Sequence, residues 1–100
     1  MNIYNKSSLI SFWKKYSSSK HALELWYNDV SSKKWKKPND VKKDYAVASI
    51  LQNNRVVFNI KGNDYRLITE MNYAKGWVFI KFIGTHAAYD KVDATTINLF

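Results

Sequence analysis

The stretch "NNRVVFNIKGNDYRL", Asn53 to Leu67, constrains the fold of this chain more than any other. It reads as two β-strands joined at Gly62 and Asn63, a dipeptide that favours a tight hairpin turn. Because side chains alternate between the two faces of a sheet, this register sorts the hairpin into an apolar face and a polar face. The apolar face must be covered by a second layer, since a sheet buries its hydrophobic side.

The turn predicts which residues face each other across the hairpin. Asn59 is expected opposite Arg66, and Lys61 opposite Asp64, all on the polar face. The apolar face carries Val56, Phe58, Ile60, Tyr65 and Leu67. A third strand, "WVFIKFIG", continues the division if its alternate residues Val78, Ile80 and Phe82 join the core. Phe79, Lys81 and Ile83 would then lie on the polar face, which we call the front of the sheet.

Two amphipathic helices are predicted ahead of the hairpin. The first has Ser7 or Ser8 as its N-cap and the second follows "SSS". Their apolar stripes are Leu9, Phe12, Trp13 and Tyr16, then Ala22, Leu23, Trp26 and Val30. A short strand over residues 2–4, a helical turn after Pro38 and a loop with a helical turn after the last strand complete the layout. The expected fold is α+β, with two N-terminal helices packed on one face of a small antiparallel sheet, in a single domain spanning residues 1–100.

Charge indicates the kind of partner. Sixteen Lys and Arg against eight Asp and Glu give a net charge of +8 and a pI near 9.7, which attracts polyanions. A nucleic acid, an acidic membrane or an acidic protein would all be attracted by this positive charge. There is no cysteine, which excludes disulfides, thiolate metal sites and cysteine nucleophiles. No apolar run is long enough to span a bilayer, so we expect a soluble cytoplasmic protein without a membrane partner.

The polar face carries the candidate site. Lys61, Arg66, Lys81 and His86 are expected to frame a cleft the size of a phosphate, with Tyr89 a few residues further on. Cations, an imidazole and an aromatic ring around one space suit a polyanion. The alternative is that this is simply the wet face of an antiparallel sheet, where polar side chains serve solubility.

Two stretches, "NNRVVFNIKGNDYRL" and "GTHAAYDK", resemble the HigB toxins of bacterial type II toxin–antitoxin systems, within the RelE/ParE toxin superfamily. The resemblance implies two helices on an antiparallel sheet and an endoribonuclease that cuts mRNA without a metal or cofactor, commonly in the ribosomal A site. It also implies a HigA-like antitoxin with a helix-turn-helix domain, through which operator DNA would be reached only indirectly.

Metal-free RNA cleavage needs a base for the ribose 2′-hydroxyl, donors for the charge on the phosphorane, and an acid for the leaving 5′-oxygen. Arg66 is the expected phosphate ligand, because its guanidinium offers a planar fork of donors. Lys61 and His86 remain rivals for the base, since histidine titrates near neutral pH and a lysine can be activated by its neighbours. Tyr89 is expected to stack on a base or donate to phosphate.

Further residues are predicted to touch RNA or the ribosome. The weaker RNA-binding candidates are Arg55, Asn59, Asn63, Lys81, Asp90 and Lys91. The lysine run is Lys33, Lys34, Lys36, Lys37, Lys42 and Lys43. It is either a solvated helix end or a contact for ribosomal RNA phosphates, in which case affinity falls with salt.

Two other functions fit the same features. One is a toxin of this superfamily that binds a protein target such as DNA gyrase without cutting RNA. The other is an RNA-binding module without catalysis.

Overall fold

A five-stranded sheet with four helices forms the structure, a computed structural model that describes residues 1–100. The strands are β1 (Asn2–Tyr4), β2 (Ser49–Leu51), β3 (Arg55–Ile60), β4 (Tyr65–Asn72) and β5 (Trp77–Thr85). The helices are α1 (Lys6–Lys15), α2 (Lys20–Ser31), α3 (Pro38–Asp44) and α4 (His86–Tyr89), with a 3₁₀ turn over Ser17–Ser19. None of the helices has the length and apolar character needed to cross a bilayer.

The strand order is β1-β5-β4-β3-β2. β2 to β5 pair antiparallel, but β1 pairs parallel to β5, with Ile3 opposite Val78. The predicted α+β class is confirmed, whereas the prediction of a wholly antiparallel sheet is wrong at this edge. Hairpins impose antiparallel pairing only on consecutive strands. β1 reaches β5 after the helices and three other strands, so no hairpin fixes its direction.

The hairpin register is confirmed: Phe58 pairs with Leu67, Asn59 with Arg66, and Ile60 with Tyr65. At the turn, Asp64 N donates to Lys61 O over 3.2 Å. Gly62 has φ +64°, a left-handed conformation that suits glycine, and Lys61 also has a positive φ of +54°. The ladder therefore ends at the pair of Ile60 with Tyr65, and the predicted strand pair of Lys61 with Asp64 is wrong because both residues belong to the turn.

The helices cover the predicted apolar face of the sheet. Leu9 of α1 and Leu23 of α2 join Phe58 and Leu67 in one buried cluster of sixteen residues. The predicted helical stripes are thus confirmed. The serine N-cap of α1 is wrong, because Asn5 occupies that position with φ 74° and both serines lie in the first turn.

A β-bulge changes the faces of β5. Thr69 pairs with Ile80 and Ile68 with Phe82, which leaves Lys81 as an extra residue between them. Beyond the bulge the alternation is reversed. Phe82 turns to the front of the sheet and Ile83 turns into the main core. The predicted faces of these two residues were wrong for this reason.

The front of the sheet is not a wet surface, because the chain beyond α4 folds back across it. We call residues 90–98 the tail segment. Three of its apolar side chains pack on a buried front cluster formed by Val57, Ile68 and Phe82; the three are Val92, Ala94 and Ile97. Arg55 lies beside them, only 5% exposed.

Arg55 attaches the tail segment to the sheet. Its Nη1 donates to Ile97 O over 2.6 Å and to Ala94 O over 3.5 Å, and its Nε donates to Glu70 Oε1 over 3.2 Å. Arg55, which was predicted to contact RNA, is therefore buried, and its guanidinium binds carbonyls of the tail segment and the Glu70 carboxylate instead.

We expect Arg55→Met to lower the free energy of unfolding by about 2–4 kcal/mol, because it leaves two tail carbonyls and a partly buried carboxylate without their donor. Chemical denaturation measures the loss, and limited proteolysis should cut the tail segment first. Lys20→Met, at an exposed cation of α2, is the matched control. A change of less than about 0.5 kcal/mol, the range of ordinary surface substitutions, would contradict this account.

Candidate functional site

Arg66 lies on β4 at the centre of the candidate site and is 8% exposed. Its Nη1 donates to the carbonyl oxygens of Asn63 and Tyr65 over 3.2 Å each, and its Nη2 donates to Asn63 Oδ1 over 3.3 Å. The ion pairs of the structure do not include it. A buried cation held only by neutral acceptors favours the approach of an anion.

The start of α4 is fixed next to this arginine. The Thr85 hydroxyl accepts from Ala88 N over 3.2 Å and so caps the helix. His86 N donates to Asp64 O over 3.2 Å, which ties the helix to the hairpin turn. One turn later, the Tyr89 ring lies 5.9 Å from the Arg66 guanidinium carbon, within cation–π range.

His86 carries a carboxylate partner. Its Nδ1 lies 3.1 Å from Asp90 Oδ2, and the imidazole is about half exposed. An ionised carboxylate can only accept a hydrogen bond, so Nδ1 is the donor of this pair. The second nitrogen, Nε2, is left available to exchange a proton with another molecule.

Lys61 completes the group from the turn. Its Nζ lies 3.9 Å from Asp64 Oδ2, on the residue whose carbonyl holds His86. The four residues predicted as catalytic are therefore gathered at one end of the hairpin. The predicted cleft framed by these side chains is not one of the two cavities of the structure: Lys61 lines the cavity between α2 and β3, whereas Arg66, His86 and Tyr89 line neither.

Other predicted RNA contacts have different positions. Asn63 holds Arg66, Asp90 holds His86, and Asn59 lies across the ladder from Arg66. Lys91 follows Asp90 and is exposed.

Lys81 and Arg55 are not part of this group. Lys81 donates to Asn98 Oδ1 over 3.2 Å and lies over the ring of Phe79. The bulge places it beyond Ile68, roughly 7 Å along the sheet from the level of Arg66. Lys81, one of the three cations predicted to frame the cleft with His86, is therefore absent from the group.

The lysine run divides into structural and exposed members. Lys33 pairs with Asp29 over 3.5 Å and with Asp44 over 3.6 Å, and the Trp35 indole N–H together with Lys33 lowers the pKa of Asp44. Lys42 donates to the carbonyls of Ala46 and Ala48, in the segment between α3 and β2. The remaining members have exposed side chains: Lys34, Lys36, Lys37 and Lys43.

Sequence reasoning missed the parts that hold α4 in place. A threonine directly before a short helix is a readable N-cap signal. The Asp64 carbonyl that accepts from His86 N gives no sequence signal, because every residue has a backbone carbonyl. Gly84 was also missed: a Cβ there would lie 2.6 Å from the Phe82 ring and 3.4 Å from Ala88 Cβ.

A family model described as "HigB_toxin, RelE-like toxic component of a toxin-antitoxin system" matches residues 19–92, well over half of the chain. The chain belongs to the HigB toxin family. No curated protein matches it. This HigB-family chain is thus the toxin of a toxin–antitoxin system, and an antitoxin is its implied partner. The matched range contains the hairpin, β5 and α4, and it leaves out β1, α1 and the end of the tail segment.

Gly84→Ala tests whether α4 takes its position because residue 84 has no side chain. We expect a loss of about 1–3 kcal/mol in the free energy of unfolding and altered amide chemical shifts over residues 86–89, because the Phe82 ring must move and Ala88 and Tyr89 of α4 pack on its cluster. Gly62→Ala is the control, since a Cβ there meets nothing within 4 Å and costs only backbone strain. Unchanged shifts over residues 86–89 in Gly84→Ala would show that α4 is positioned by other contacts.

Proposed function

We propose that this HigB-family toxin is an endoribonuclease that cleaves mRNA by attack of a ribose 2′-hydroxyl on the adjacent phosphate, without a metal. The observation that carries the proposal is the state of Arg66: a buried guanidinium with no carboxylate partner, beside an imidazole and a phenol. A phosphodiester brought to this place supplies the missing anion. The resemblance of "NNRVVFNIKGNDYRL" and "GTHAAYDK" to the family supports the same reaction.

The reaction needs one proton removed and one delivered. A base takes the proton of the 2′-hydroxyl, and the oxygen attacks phosphorus in line with the leaving 5′-oxygen. Charge grows on the non-bridging oxygens, where Arg66 can donate from its planar fork. An acid protonates the leaving oxygen, so that the products are a 2′,3′-cyclic phosphate and a free 5′-hydroxyl.

His86 and Lys61 are the candidates for the proton transfers. Asp90 accepts from His86 Nδ1, which orients the ring and leaves Nε2 for the substrate. Lys61 has an exposed ammonium paired at 3.9 Å with Asp64, and it can act as the base or as a further charge on the phosphate. Tyr89, over Arg66, is suited to stack on a nucleobase at the scissile step or to donate to phosphate.

The proposed setting is the ribosome in the cytoplasm. The exposed lysines around α3 give this end of the molecule a cationic surface suited to ribosomal RNA. The proposed inhibitor is a HigA-like antitoxin with a helix-turn-helix domain, which would also carry the toxin to operator DNA.

Substitutions in the site test the reaction. We expect Arg66→Lys to lower the cleavage rate roughly 10²- to 10³-fold, because a lysine keeps the charge but loses the fork. His86→Ala should cost roughly 10²- to 10⁴-fold and remove one limb of the pH–rate profile. The measurement is the appearance of 5′-hydroxyl ends in mRNA after induced expression, and Lys20→Ala controls for net charge.

Circular dichroism and thermal unfolding of each variant separate loss of chemistry from loss of fold. Full cleavage and growth arrest in both Arg66→Lys and His86→Ala would remove the site assignment. Intact mRNA with double-strand DNA breaks would replace the ribonuclease with a gyrase-directed toxin.

The exposed lysines should contribute to ribosome binding through phosphate contacts. We expect replacement of Lys34, Lys36, Lys37 and Lys43 by Ala to weaken ribosome association most at low salt and to flatten its salt dependence, because fewer counterions are released. Co-sedimentation at several salt concentrations measures the slope. A slope equal to that of the unsubstituted toxin would make these lysines solvated surface only.

A further inference from the structure

A second surface on the front of the sheet has no role in the proposed chemistry. β1 lies parallel to β5, which sets Tyr4 directly opposite Phe79. The two rings stack at 5.2 Å between centroids with 18° between their planes. The Trp77 ring is nearly perpendicular to both, with its centroid 5.8 Å from that of Tyr4 and 5.9 Å from that of Phe79. We call Tyr4, Trp77 and Phe79 the aromatic trio.

The trio is accessible and flanked by positive charge. Tyr4 is 41% exposed, although one face of its ring lies against Phe79. Lys75 Nζ lies 4.7 Å from the Trp77 ring centroid, and Lys81 Nζ lies 5.6 Å from that of Phe79. The carboxylate of Glu70, across the ladder from Phe79, is already paired with Arg55.

The trio lies on the same face of the sheet as Arg66. Glu70 and Arg66 are both front residues of β4, and Phe79 pairs with Glu70. From Gly84, opposite Arg66, to Phe79 is roughly 15 Å along β5. The tail segment crosses the sheet between the two places, with exposed Lys91 among its residues.

We propose that the aromatic trio with Lys75 and Lys81 is a subsite for single-stranded RNA, on which a base outside the scissile step stacks. The inference deepens the proposed ribonuclease function and rests on it. Stacking rings bordered by cations are the elements with which proteins hold unpaired bases and their phosphates. Because Tyr4 already lies flat on Phe79, a base added to its outer face continues an existing stack.

The test uses a fluorescein-labelled, 2′-O-methylated oligouridylate of about eight nucleotides, which spans both places and cannot be cleaved. We expect Tyr4→Leu to raise the Kd at least about fivefold and Tyr4→Phe to leave it unchanged, because only the aromatic plane matters. Lys75→Gln should lower the slope of affinity against salt by about 0.7. Leu25→Ala, at an exposed apolar position on α2, is the control.

Length dependence distinguishes this subsite from the cleavage site. A dinucleotide that reaches only Arg66 should be bound and cut equally by the unsubstituted toxin and by Tyr4→Leu. Equal affinity of these two proteins for the long probe would overturn the inference while leaving the ribonuclease intact. A Tyr4-dependent affinity in a toxin that cuts no RNA, with or without ribosomes, would support the subsite and overturn the proposed function.

Two results would show that the aromatic trio binds something other than RNA. If polyglutamate of similar length displaces the probe and shows the same dependence on Tyr4, the trio binds an acidic chain and not bases. If Tyr4→Leu changes the sedimentation coefficient of the free toxin, the trio is a contact between copies. Either result would overturn the inference.

Discussion

The pairing of β3 with β4 is the constraint on which the rest of the structure depends. Setting Phe58 opposite Leu67 commits one face of the hairpin to the helices. The same register sets Asn59 opposite Arg66 on the other face. A slip by one residue would exchange the faces and place a guanidinium against Leu9 and Leu23. The same strand register therefore determines both the burial of the core and the outward position of Arg66.

Local patterns accounted for much of the fold. The Gly62-Asn63 turn and strict alternation predicted the hairpin register, and helical spacing predicted which residues of α1 and α2 are buried. Both signals come from neighbours in sequence, where geometry is nearly fixed. For the same reason the sequence indicated that Arg66 and His86 would lie near each other, since β4 and β5 are joined by a short turn.

What sequence missed depends on contacts between distant residues. No Gly or Pro marks the bulge at Lys81, yet it reverses the faces of Phe82 and Ile83. Arg55 was taken for a solvated strand charge because its partners, Ala94 and Ile97, lie about forty residues further along the chain. The conformation of Lys61, with φ +54°, likewise depends on how the whole turn closes. Alternation holds within a strand, but it does not report where a strand is interrupted or what covers it.

The two sides of the sheet are packed to very different depths. Sixteen buried residues lie on the helical side, and three lie beneath α4 and the tail segment. Regions with few buried apolar contacts open locally at a smaller free-energy cost than the whole domain. Arg66 belongs to a central strand, whereas His86 and Tyr89 belong to the thinly packed segment. The fraction of toxin molecules that are folded and the fraction with an assembled site are therefore separate quantities, and sub-global opening can change the second without the first.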